Sequence, residues 1–140
     1  MSEQETRKVA ERLIREVWSV DGDIDVADEL LADDYVIQGQ QEESPWPPTK
    51  EGEKQQAAAF RSALGIRSQV QDVLVDGDQA AVHWRTSGTH KGEFFGMPPT
   101  GKSFTIHGVS LLRVQDGKVV ENRTIADMFS LMQQLGVVNS

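Results

Sequence analysis

The amino-acid sequence predicts an α+β domain. Three helices in its first half pack on one face of a strongly curved antiparallel sheet, and a short helix closes the chain. Three observations predict this. Apolar residues recur at helical spacing as far as Leu64, the period changes to two from Arg67 onward, and Asp76-Gly77 and Asp116-Gly117 divide the alternating part into hairpins. Helices that cover one face of a curved sheet enclose a cone with a mouth. At 140 residues the chain matches a single domain over 1–140, long enough to bury roughly two thirds of its unfolded surface without disulfides or metals.

The first helix is expected over about residues 3–19, where Val9, Ala10, Leu13, Ile14, Val17 and Trp18 form one apolar face and Asp21-Gly22 ends the run. A second, short helix follows at about 25–32 with Val26, Leu30 and Leu31 inward, then a brief strand around Tyr35, Val36 and Ile37. Gly39 to Lys50 holds Pro45, Pro47 and Pro48 around Trp46 and reads as a loop. There Trp46 is either a lid over the mouth or a side chain packed on its own loop. From Glu51 to Leu64 helical spacing returns, with Ala57, Phe60 and Leu64 on one side. Ala80, Val82, Trp84 and Thr86 then alternate with Ala81, His83, Arg85 and Ser87 as a half-buried strand does. Pro98-Pro99-Thr100-Gly101 makes a rigid corner between hairpins, and Asp127 to Leu135 forms the last helix.

Composition narrows the function. Without cysteine there is no disulfide framework and no thiolate metal site. A net charge of −8 repels nucleic acid and anionic lipid. The first residues lack an apolar signal core, and no run approaches the roughly 20 apolar residues of a membrane span. The expectation is an acidic cytoplasmic protein with neither nucleic acid nor membrane as partner. His83, His90 and His107 show no metal-ligand spacing, so no metal is expected, and phosphate-binding glycine loops and a serine-nucleophile elbow are absent.

The run Gly88-Thr89-His90-Lys91-Gly92-Glu93-Phe94-Phe95-Gly96-Met97-Pro98-Pro99-Thr100-Gly101-Lys102 resembles the GTHxGxxxGxPPTGK signature of the SnoaL-like polyketide cyclase and ester cyclase family. Arg113 to Glu121 is similar to that family's RxxDGKIxE hairpin, Asp127 with Gln134-Leu135-Gly136 to its D…QLG ending, and Asp28 to Tyr35 to an acidic segment after its first helix. The resemblance covers nearly the whole chain. It implies the nuclear-transport-factor-2-like cone, often a homodimer through the sheet, and a cofactor-free pocket for a small hydrophobic, carbonyl-bearing molecule. In the cyclases it implies an intramolecular aldol condensation. The glycines and prolines of the signature also have a structural reading, as does His90, which is expected to be a satisfied structural residue rather than a base.

Val114 to Lys118 suits a three-residue hairpin that pairs Val114 with Lys118. Counting back sets Ser110 opposite Asn122, Gly108 opposite Thr124 and Ile106 opposite Ala126 on one face, with His107, Arg113, Arg123 and Ile125 on the other. The first face is taken as the pocket wall because, by the resemblance, it is where the cyclases carry their functional polar groups. Those cyclases have histidines where this chain has Ser110 and Asn122, and an acid/base aspartate where it has Thr124. An amide or hydroxyl cannot take up a proton from carbon, so the wall is expected to bind Ser110, Asn122 and Thr124 to substrate without exchanging protons. Asp127, where the last strand meets the last helix, is the catalytic candidate, against its reading as a helix cap. Tyr35, Phe60, Trp84, Leu112 and Met128 are the candidate apolar lining. Arg123 divides between an ion pair with Glu121 or Glu93 and an anion clamp, and His83, Arg85 and Arg113 are candidates for a dimer surface. Three functions remain: a cyclase-type enzyme with Asp127 as base, a binding domain that has lost its base, and a cofactor-free hydroxylase or epoxide-opening enzyme.

Overall fold

A computed structural model describes residues 2–39 and 44–137. Helix α1 (Glu3–Arg12) is capped by Ser2, whose side chain accepts from the Glu5 amide, and continues as one wider π turn over Leu13–Val17. The single helix expected over 3–19 is therefore two geometries in series. A 3₁₀ turn (Ile24–Val26) leads into α2 (Ala27–Leu30), and the expected inward Leu31 begins strand β1 (Leu31–Ile37) instead of ending a helix. Helix α3 (Lys50–Leu64) starts at the Thr49 cap and stops at Gly65, whose φ of +54° only glycine adopts without cost. Strands β2 (Arg67–Asp76), β3 (Gln79–Thr89), β4 (Ser103–Gln115) and β5 (Lys118–Ala126) follow, then α4 (Met128–Gln134).

The five strands lie in the order β1-β5-β4-β3-β2. Four are antiparallel, as expected, but β1 adds to the edge of β5 in parallel, so the sheet is mixed. Alternation sorts β3 and β4 cleanly. Ala80, Val82, Trp84 and Thr86 of β3 and Phe104, Ile106, Ser110 and Leu112 of β4 face inward and are buried, whereas His83, Arg85, His107, Leu111 and Arg113 face outward. Ala10, Leu13, Ile14, Val17, Ala57 and Leu64 from the helices complete the core on the inner side.

The β4–β5 hairpin differs from its expected form in two compensating ways. Asp116 and Gly117 both have positive φ, +52° and +78°, which makes a two-residue turn pairing Gln115 with Lys118. One residue, Val120, is then extra on β5, because Val114 pairs with Val119 and Arg113 with Glu121. The shorter turn alone would have turned every following side chain to the opposite face, and the bulge turns them back. Ser110 is consequently opposite Thr124, Leu112 opposite Asn122 and Gly108 opposite Ala126, not the pairs the three-residue turn implied, while the division into two faces is unchanged.

The Pro-Pro corner is fixed from within. His90 is fully buried, its Nδ1 accepts from the Thr100 amide at 3.3 Å and its backbone amide donates to the Lys102 carbonyl at 2.9 Å, but its Nε2 is buried without a hydrogen-bond partner, so the histidine expected to be satisfied is satisfied at one ring nitrogen only. Trp46 packs edge-on to Phe95 and tilted against Phe60, while Phe60 touches Trp18 and Phe94 edge-on. The proline-rich loop, α3 and the segment after β3 thus share one aromatic cluster. Gly52 permits this approach, since a Cβ there would stand 1.7 Å from the Pro47 carbonyl oxygen.

Candidate functional site

The most unusual residue of the interior is Glu53, a carboxylate only 2% exposed in the first turns of α3. It sits in the apolar stripe, since positions 53, 57, 60 and 64 fall on one helical face. Two donors meet it. Trp18 Nε1 donates to one carboxylate oxygen at 2.7 Å and the Tyr35 hydroxyl to the other at 2.9 Å. Burial pushes the Glu53 carboxyl up from its ordinary value, and the hydrogen bonds from Tyr35 and Trp18, with the nearby Asn122 amide as the smallest influence, oppose that rise. The Tyr35 phenol is driven well above its ordinary range, first by its own burial and then by the adjacent Glu53 charge.

Trp18 and Tyr35 are held to these positions by separate supports. Arg61, two turns along α3 from Glu53, donates to the carbonyls of Glu16, Val17, Ser19 and Gly22 and so closes the exposed end of the first helix around Trp18. Ser68 of β2 donates to the Trp18 carbonyl at 2.8 Å and contacts Thr86 of β3 at 2.6 Å. Tyr35 points inward from β1, the strand laid beside β5.

From Tyr35 the contacts continue across the sheet. Asn122 Nδ2 donates to the Tyr35 hydroxyl oxygen at 2.9 Å, Thr124 Oγ1 donates to Asn122 Oδ1 at 2.8 Å, Thr124 and Ser110 hydroxyls meet at 2.8 Å, and Trp84 Nε1 donates to Ser110 Oγ at 3.0 Å. Gly108 makes the last contact possible. Trp84 lies across it, and a Cβ at Gly108 would fall 2.2 Å from the indole ring. A single chain of seven side chains therefore runs from Trp18 through buried Glu53 to Trp84. Along it only Thr124 is exposed.

The expected wall residues Ser110, Asn122, Thr124 and Trp84 are brought together with Tyr35 in this chain. Leu112 is buried beside Asn122 across the strand pair, and Phe60 and Met128 are half-buried at the edge of the core. Asp127 stands apart. It is exposed at the start of α4, where its side chain accepts from the Ser130 amide at 3.0 Å as a helix cap. Arg123 donates to Gln38 at 3.4 Å, and Glu121 pairs with Arg113 at 3.7 Å, so neither expected partner of Arg123 is used. Among the described residues no group of three or more His, Asp or Glu side chains is placed to hold a metal ion.

A groove of about 480 Å³ lies on the other side of the sheet, lined by Gln38, Leu74, Gln79, Leu111, Arg113 and Arg123 among others. Leu74, Leu111, Arg113 and Arg123 line it from the outer face, although Leu112 and Asn122 also border it. The groove belongs to the outer face, where Leu74 and Ile125 are 73% and 69% exposed.

Sequence reasoning did not single out Glu53, and it placed Trp18 on the apolar face of the first helix without a role in the site. Glu53 was hidden among Lys50, Glu51 and Lys54, charged neighbours of which Glu51 is exposed and the lysines pair with Asp33 and Asp28. The available signal was its place one turn before Ala57 in the stripe that continues to Leu64.

Comparison with known proteins bears on the family and the fold. The family model of the SnoaL-like polyketide cyclase matches residues 8–135. Nogalonic acid methyl ester cyclase of Streptomyces nogalater is 41% identical over 49 residues, which is 35% of this chain and 37% of that protein, so the match spans about a third of the curated relative. The solved structure of wild-type IdmH from Streptomyces antibioticus is 31% identical, covers 98% of this chain and 100% of its own, and superposes with a TM-score of 0.76. An M. tuberculosis LEH-like epoxide hydrolase, at 14% identity and a TM-score of 0.70 over 95% of this chain and 90% of its own, shares the fold alone.

Proposed function

The chain belongs to the SnoaL-like polyketide cyclase family, and from that premise we propose that it binds a small hydrophobic, carbonyl-bearing molecule against the inner sheet wall without a cofactor. One observation carries this reading: the unbroken hydrogen-bonded chain from buried Glu53 to exposed Thr124, which delivers the influence of a buried charge to a surface that a ligand can reach. Trp84 and Met128 offer apolar area beside it, and Ser110, Asn122 and Thr124 offer polar anchors, the composition of a small-molecule site. Glu53 is the buried carboxylate of this wall and replaces Asp127 as the first acid/base candidate, because its burial raises its affinity for a proton whereas Asp127 is occupied in capping α4.

Both Glu53 oxygens are engaged and shielded, which favours electrostatic steering of a bound molecule over direct proton abstraction by that carboxylate. A binding protein on a cyclase scaffold is therefore the reading that the geometry supports best. Turnover, as a cyclase or as a hydroxylase or epoxide-opening enzyme, is the second reading and requires proton exchange through Tyr35.

The test is a thermal-shift screen of the protein against aromatic and polycyclic ketones, esters and epoxides, followed by incubation of each binder with wild type, Glu53→Gln and Asp127→Asn. A ligand at a hundredfold its dissociation constant adds about 2.7 kcal/mol of stability. Binding without conversion establishes the binding protein. Conversion lost in Glu53→Gln makes the chain catalytic, and conversion lost only in Asp127→Asn returns that role to Asp127. No binder in any class overturns the site.

The outer face supports a second part of the proposal, a homodimer. Leu74, Leu111 and Ile125 expose apolar area on one continuous sheet surface, with His83, Arg85 and Arg113 around it. Sedimentation at tens of micromolar should give twice the 15.5 kDa chain mass, and a monomer there removes this part while leaving the inner site untouched.

A further inference from the structure

The direction of every hydrogen bond in the inner chain follows from one charge. Indole N–H groups only donate, so Trp18 and Trp84 feed protons into the chain from its two ends. An ionised carboxylate only accepts. With Glu53 ionised, Tyr35 must donate to it, and the Tyr35 oxygen must then accept from an N–H of Asn122. That turns Asn122 Oδ1 toward Thr124, so Thr124 must donate to it, Ser110 must donate to Thr124, and Ser110 must accept from Trp84. This is the arrangement present, with the Asn122 nitrogen on the Tyr35 side and its oxygen on the Thr124 side. Each hydroxyl proton of Ser110 and Thr124 is consumed inside the chain, and what the exposed Thr124 presents outward is a lone pair.

A neutral Glu53 reverses the requirement. Trp18, which only donates, keeps the carbonyl oxygen, so the Glu53 O–H donates to Tyr35; Tyr35 keeps its own proton bonded by donating onward, which Asn122 accepts by turning its amide over. The Asn122 nitrogen then donates to Thr124, Ser110 still donates to Thr124, and the Thr124 hydroxyl proton is freed at the exposed end.

Building on the ligand site proposed above, we infer that Asn122 is an amide switch that reads the charge of Glu53, so that the inner wall binds hydrogen-bond donors, the hydroxyl of an enol or phenol, when Glu53 is ionised and carbonyl acceptors when it is neutral. The groups bearing on Glu53 are Trp18 after the first helix, Tyr35 of β1 and Asn122 of β5. Tyr35 alone of these titrates, and far above the working range. Glutamine at position 53 imitates the neutral acid, since its oxygen must face Trp18 and its amide nitrogen must face Tyr35.

Two experiments test the inference, one without ligand. The indole N–H resonances of Trp18 and Trp84 are followed by NMR through the titration of Glu53. Both are expected to move with one common midpoint, with Trp84 in Glu53→Gln held near its low-pH position in wild type. Asn122→Leu, or Thr124→Val should the first variant not fold, is expected to leave the Trp18 response and abolish that of Trp84. A Trp84 resonance that stays still while Trp18 titrates overturns the switch.

The second experiment compares carbazole, an N–H donor, with fluorenone, a C=O acceptor of nearly the same shape. With Glu53 ionised, wild type should prefer carbazole by about tenfold, the worth of one hydrogen bond, and Glu53→Gln should prefer fluorenone. Equal preference in both proteins overturns the assignment of ligand class. If neither probe binds, the ligand site fails and the assigned ligand class with it, while the indole titration still decides whether Asn122 switches.

Discussion

Two hydrogen-bonded chains lie on opposite faces of the same strands. The inner one joins Trp84, Ser110, Thr124, Asn122 and Tyr35 to Glu53, and the outer one joins Asp72 to His83 at 3.1 Å and His83 to His107 at 3.2 Å. Both include a carboxylate and both cross between neighbouring strands. They differ in what replaces a lost contact. On the outer face water is at hand, whereas inside an abandoned donor or acceptor keeps its full desolvation cost. The chemistry of this sheet thus depends on which face a polar residue occupies more than on which residue it is.

The largest effect is expected where the inner chain depends on sterics. Gly108→Ala places a Cβ 2.2 Å from the Trp84 ring and 2.8 Å from the Ile125 carbonyl oxygen. The indole must leave Ser110, and overpacking plus a stranded donor should cost about 3 kcal/mol in urea unfolding. The neighbouring outward residue, Val109, should lose less than ~1 kcal/mol on truncation to Ala. Equal losses at 108 and 109 would break the distinction between the faces.

Next in size is Tyr35→Phe, which removes one of the two hydrogen bonds to a buried charge. The expected loss is about 2 kcal/mol where Glu53 is ionised. The Glu53 midpoint should also move further up, because a bond that favoured the charged form is gone. A stability loss without that movement, read from the carboxyl carbon resonance, would separate Tyr35 from the charge.

The layout of the sheet was legible because alternation is a local signal: Ala80 to Ser87 declare their faces one residue at a time. The face of Ser110, Asn122 and Thr124 was legible too, though for an incomplete reason. The turn at Asp116-Gly117 is one residue shorter than expected and the bulge at Val120 restores the parity, so the faces came out right while each pairing was displaced. The parallel edge strand β1 was not legible, since its partner β5 lies more than eighty residues away and nothing in Leu31–Ile37 specifies direction. Glu53 was missed for a related reason. Periodicity sorts charges to solvent, and only the coincidence of Trp18, Tyr35 and Asn122 from three distant segments makes its burial tolerable.

Glu53→Gln should sharpen the comparison through pH. Burial holds the folded-state value of Glu53 above its ordinary 4.5. The folded state therefore binds this proton more tightly than the unfolded one, and the associated stability is fully present below 4.5 and lost as pH rises through the raised value. The variant has no such loss. Its stability relative to wild type should climb with pH across that window and then level off. A relative stability that falls over the same window would mean that the inner carboxylate is stabilised by its donors more than burial penalises it.

The smallest expected effect is on the outer face. His83 and Asp72 retain 39% and 77% side-chain exposure, so when His83→Gln removes both contacts, water can replace them at once. The folding free energy of the isolated chain should change by less than ~0.5 kcal/mol. If the outer surface is buried between two copies of the chain, that replacement is denied, and the same substitution should lower the melting temperature more at high protein concentration than at low. A concentration-independent loss comparable to that of Tyr35→Phe would place His83 in an environment as closed as that of Glu53. The two faces would then differ in composition alone, and the reason for seeking the reactive polar group on the inner wall would be gone.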